Sequence, residues 1–301
     1  MSETALHSTP RPRDVLREQL RTVGLALRAP ATVATVLAAG VALLVALGLA
    51  KSGTRIDFHP ELSMVPGIAG LVLPLAVWWG EERFGPGFFW TLPVDRGRHA
   101  LTRVAAGWMW LMTAVLAFVL WLLVLALLTG GNVLGDETVR VVSLPPLAPA
   151  VGIDPAAVRT ASRAAQPLFW LVPFTAASGA YLLASALALG TRRPLRWIVG
   201  CVLGFFLVLG TVEGARAVSL RLALTRVLEA VFSGPYGLDA LLTARSESLH
   251  TVVTLATGPT VEVWRGLPTT GDWAAATLLW TAAGMIALWL AARRHGEGRR
   301  G

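Results

Sequence analysis

Charge is scarce in this chain, and cysteine and lysine are almost absent. Only 15% of its 301 residues are Asp, Glu, Lys or Arg, where ordinary soluble domains carry about a quarter. An ordinary water-soluble domain is therefore excluded. The single cysteine, Cys201, lies inside an apolar run, so neither an intrachain disulfide nor a cysteine metal cluster is possible. Lys51 is the only lysine, and Ala50 stands where a phosphate-binding P-loop needs glycine. The chain holds no Walker-type ATP site of its own. His7, His59, His99, His250 and His295 are scattered, with no second ligand at metal spacing. Asp57, His59 and Glu61 make the one small group with metal-binding side chains, and a lone surface cluster of this kind reads as solvated. No Gly-x-Ser-x-Gly elbow supports a serine nucleophile.

What the chain has in excess is apolar length. With 54% hydrophobic residues and a mean hydropathy of +0.62, it reads as a polytopic membrane protein. Six runs lack Asp, Glu, Lys, Arg and His: 31–50, 62–80, 104–128, 167–190, 197–212 and 273–292. About 20 residues at about 1.5 Å rise cover a hydrocarbon core of about 30 Å. The absence of ionisable groups within the runs argues against proton relays, ion coupling and intramembrane catalysis. Pro66 and Pro74 predict a kinked second span. Gly200 and Gly204 form a close-packing spacing in the fifth. Thr175, Ser178, Tyr181 and Ser185 share one face of the fourth, and such a stripe either lines a pathway or joins helices.

The parts between the runs are readable too. In residues 1–30, Leu16, Leu20, Val23 and Leu27 make one apolar face, with Arg13, Arg17, Arg21 and Arg28 off it and Pro30 at its end. This predicts a cytoplasmic amphipathic helix on the anionic inner membrane surface. Residues 129–166, rich in proline, read as an ordered surface loop with a short helix from about Ala156. Within 213–272, Leu220, Leu224, Val227, Leu228 and Val231 form a helical face, and Leu249 to Leu255 with Thr260 to Trp264 predict a hairpin about Gly258-Pro259. The expected fold is an all-α polytopic membrane protein with six transmembrane helices. An N-terminal amphipathic helix precedes them, and a small extracytoplasmic helical and hairpin segment separates spans five and six.

Six spans put both chain ends, the link 81–103 and the turn after the fourth span on one side. That side holds most of the 26 basic residues and well under half of the 18 carboxylates. By the positive-inside rule it is cytoplasmic, along with the basic tail 293–301, and the loops 129–166 and 213–272 face outward. The net charge of +8 and the pI near 11.2 are thus topology signals, and no nucleic-acid partner is expected.

The link is more elaborate than a turn. Glu82-Arg83-x-Gly85, an apolar patch with Phe88 and Phe89, then Leu92-Pro93-Val94-Asp95-Arg96, and finally Arg103 with Ala106-Gly107 resembles the signature of ABC-2 type (type V) exporter permeases. Asp95 stands where the family usually has serine, and either residue caps a following helix. Arg103 stands where lysine is usual, Pro86 replaces a threonine, and the stretch from Gly85 to Pro93 is about one residue short. The resemblance implies a permease subunit of the bacterial inner membrane that works with a second permease chain, identical or not, and two cytoplasmic ABC ATPase subunits. ATP and Mg would bind those subunits, with no cofactor on this chain. It implies an ATPase-coupling interface at Glu82, Gly85, Phe88, Phe89, Leu92, Pro93, Val94, Asp95, Arg96 and Arg103. From another class, a membrane anchor or assembly factor whose outer loops hold an extracytoplasmic protein also fits the composition.

Overall fold

The computed structural model describes residues 12–52, 55–57, 60–78, 96–132, 136–142, 151–164, 170–191, 193–214, 236–244, 250–264 and 270–297, with a few isolated positions between 226 and 234. The chain is mostly helical. Its helices are α1 (Pro12–Ser52), α2 (Met64–Val77), α3 (Arg96–Thr129), α4 (Val172–Gly190), α5 (Pro194–Gly214), α6 (Leu238–Thr243) and α7 (Thr270–Glu297). Proline opens α1 and α5 and lies in the first turn of α4, where an amide hydrogen would have no helical partner anyway.

Among the described residues three helices are long and apolar enough to cross a membrane, Arg96–Thr129, Val172–Gly190 and Thr270–Arg294, and α2 is a shorter apolar helix. Leu116, Leu120 and Val124 of α3 and Leu278, Leu279 and Ile286 of α7 are exposed. A belt of this kind is stable against lipid and not against water. The protein is membrane-embedded.

α4 is the hub, packed against α2, α3, α6 and α7. Close approach of α2 depends on Gly70: a methyl group there would lie 2.5 Å from the Ala177 carbonyl oxygen of α4. Small residues of this kind let helix backbones pack tightly in a membrane, where no hydrophobic effect drives association. Gly284 of α7 lies against Leu182, and Gly190 of α4 against Ala291, so α4 and α7 run the same way. α3 runs against them, since Val104 meets Tyr181 and Met112 meets Ser178.

Two expectations are corrected. α1 is one helix straight through Pro30, with no break between a surface helix and a first span. Its predicted face is buried, Val23 and Leu27 fully and Leu16 and Leu20 in part, and Arg13, Arg17, Arg21 and Arg28 are exposed. That face packs on α3, and a face already covered by protein is not free to lie on lipid. α3 begins at Arg96, directly after Asp95, and runs through the whole of the charge-free run 104–128.

The second correction is to the all-α fold. The loop read as irregular with a terminal helix contains β1 (Asp136–Val142), β2 (Val151–Ile153) and β3 (Val158–Ala164). Among the described residues its helical content is one 3-10 turn, Pro155–Ala157, capped by the Asp154 carboxylate, which accepts from the Ala156 amide at 2.9 Å. The predicted hairpin is present as β4 (His250–Leu255) and β5 (Thr260–Trp264), turning through Gly258 at φ 102°. The two loops then combine in a five-stranded sheet of order β2-β4-β5-β1-β3. β4–β5 and β1–β3 are antiparallel, and the joins between loops, β1–β5 and β2–β4, are parallel. Val142, Val253 and Val263 form its buried core.

Candidate functional site

The start of α3 is where sequence signature and unusual chemistry coincide. Pro74 sits in the last turn of α2, which ends at Val77, and the Trp78 amide closes that turn by donating to the Pro74 carbonyl at 3.1 Å. The last carbonyls of a helix lack intrahelical donors and carry the negative end of its dipole. One of them, Val77 O, accepts from Arg103 twice, from Nε at 3.1 Å and from Nη2 at 2.8 Å. The guanidinium also lies over the Trp78 ring, 5.3 Å from its centroid. Arg103 is 3% exposed and sits among Val77, Trp78, Ala100 and Val104. A cation taken out of water this far is retained only with good partners, and the helix end with its indole supplies them.

Along the same seam, the Val104 carbonyl accepts from the Tyr181 hydroxyl of α4 at 2.8 Å. Gly107 makes room for that phenol, because a methyl group there would collide with Tyr181 Oη and lie 2.9 Å from Val77 Cγ2. One turn on, Trp108 Nε1 donates to Ser178 Oγ at 3.0 Å, and Ser178 Oγ donates to Met112 Sδ at 3.7 Å. The other side of α3 is tied to α1: Trp110 Nε1 donates to the Leu20 carbonyl at 3.1 Å, and Gln19 Nε2 lies 3.5 Å from His99 Nδ1.

The predicted interface is only partly in view. Glu82, Gly85, Phe88, Phe89, Leu92, Pro93, Val94 and Asp95 lie outside the described residues. Arg96 is the first residue of α3, and Arg103 stands two turns further along. Of the polar stripe, Thr175 bonds to its own helix at Leu171 and Val172. Ser178 and Tyr181 join α4 to α3, and Ser185 is fully buried one turn beyond Tyr181. Asp57 accepts from the Asn132 amide at 2.6 Å, tying the segment between α1 and α2 to the end of α3.

Sequence reasoning missed Val77 and Trp78 as the partners of Arg103, and it began the charge-free run just after a buried arginine. The local signal was an arginine within one turn of Gly107 beside a proline-terminated helix.

The arrangement offers no nucleophile and no proton exchange, since a guanidinium stays charged throughout the ordinary pH range. What it does is join α2, α3 and α4. Arg103 ties the end of α2 to α3 two turns past the first residue of that helix. Comparisons with protein-family models, with curated proteins and with solved structures find no match.

Proposed function

We propose that this chain is the transmembrane subunit of an ATP-driven exporter, a permease that receives force at residues 81–103 from a separate ATPase. In this reading the second half of α1 with α2, α3, α4, α5 and α7 are six spans, and both chain ends face the cytoplasm. The opposed directions of α3 and α4 fit that alternation. So does the meeting of the loops 129–166 and 213–272 in one sheet, since both must lie on the same side. The carrying observation is the Arg103 clamp. Because Arg103 bonds α3 to the end of α2, a push arriving at the start of α3 is shared with α2, and through Tyr181 and Ser178 with α4. The apolar surface of the helices favours a hydrophobic or lipid-like cargo.

The test is to replace Pro93 and Arg96 by glutamate, and separately Arg103 by glutamine, in membranes that hold the neighbouring ATPase. The double variant is expected to lose both co-purification of the ATPase and transport. Arg103→Gln is expected to keep the ATPase bound and to lower transport per ATP hydrolysed. Unchanged transport and co-purification in the double variant overturn the reading. One observation favours a second reading, an anchor for an extracytoplasmic partner: the five-stranded sheet has edge strands β2 and β3, and edges of this kind pair with other chains. Native purification with an outer-side protein and no nucleotide-binding chain would select it.

A further inference from the structure

We infer that the end of the bundle where α4 turns into α5, beside the last turns of α7, is a binding surface for the headgroup of an anionic phospholipid. Gly190 at the end of α4 touches Ala291 of α7, a methyl group on the glycine lying 3.6 Å from Ala291 Cβ. Arg193 and Arg196 follow that contact at the start of α5, and Arg293 and Arg294 follow it on α7. All four are exposed. At this end of the helices, residues 191–196 and 293–301 hold seven arginines against one carboxylate, Glu297. Most of that positive charge is left for an anion from elsewhere.

What makes that anion a lipid is the company the arginines keep. The Arg293 guanidinium carbon lies over the Trp289 ring, 3.8 Å from its centroid. A guanidinium held on an indole still has N–H groups to donate to phosphate oxygens. Trp289 is 47% exposed, next to the exposed Leu290. An indole at this level with alkyl surface beyond it matches a headgroup and its acyl chains, and basic clusters between membrane helices bind such headgroups. A free inorganic anion would need the arginines alone.

The experiment uses the detergent-solubilised full-length chain, titrated with phosphatidylglycerol, with phosphatidylcholine and with inorganic phosphate, following thermal unfolding and intrinsic fluorescence. Phosphatidylglycerol is expected to raise the melting temperature and the other two to leave it nearly unchanged. Each arginine near a membrane surface is worth about fivefold in affinity, so Arg293→Gln with Arg294→Gln should weaken phosphatidylglycerol at least about tenfold while the lipid-free melting temperature stays put. Adding Arg193→Gln and Arg196→Gln should remove the preference for the anionic lipid. Equal stabilisation by phosphatidylcholine or by inorganic phosphate overturns the inference, as does a folded double variant that keeps wild-type selectivity.

Discussion

The two ends of this molecule hold themselves together by different means. At the end where α3 begins, a buried cation, a helix terminus and a short ladder of hydrogen bonds join α2, α3 and α4 within about three helical turns. At the other end, strands from two loops about a hundred residues apart share one sheet with a core of three valines. The first kind of joint is made of side chains meeting backbone carbonyls and is lost one bond at a time. The second is a cooperative ladder, where no strand is stable without its neighbours. One joint is suited to carrying a load between helices, and the other to closing a surface.

The sharpest way to break this contrast is Val253→Asp. An unpaired carboxylate in the sheet core is expected to cost several kcal/mol and to open the sheet to protease while helical circular dichroism persists. Loss of the helical signal as well would show that the two ends are one cooperative unit. Gly70→Val comes next. Its side chain would strike the α4 backbone, which cannot swing aside, and overpacking of about 2–3 kcal/mol should lower the melting temperature without exposing the sheet. Arg103→Gln removes a charged donor pair from a helix end and should cost about 2 kcal/mol; Arg103→Lys should recover part of it in the same melt. Smallest is Tyr181→Phe, which deletes one hydrogen bond and keeps the ring, for about 1 kcal/mol. A double-mutant cycle of Tyr181→Phe with Arg103→Gln, read by thermal unfolding, should show coupling, because both reach the same turn of α3.

What was legible in the sequence was whatever depends on neighbours in the chain. Leu16, Leu20, Val23 and Leu27 announced a face by spacing alone, and that face is buried. The hairpin of β4 and β5 was visible because alternation and a Gly-Pro turn lie within fifteen residues. β1, β2 and β3 were hidden because a proline-rich loop has no period of its own, and β2 is made a strand by β4, which comes much later in the chain. Arg103 was singled out, but not as a buried residue. Its burial depends on where α2 ends in space, and the run of apolar residues that marks a span says nothing about the carbonyl left over at the end of another.

The split origin of the sheet also has a consequence in time. During synthesis β1 finds β3 almost at once, but β2 must wait for β4. About a hundred residues at about 5–20 residues per second is a delay of about 5–20 s. Throughout that interval the first loop stands as an incomplete ladder with its edge unguarded, a period in which a chaperone on that side has something to hold. Completion of the sheet therefore reports that the later loop has been delivered to the same face as the earlier one, and a chain with a helix inserted the wrong way round would be left with an open edge.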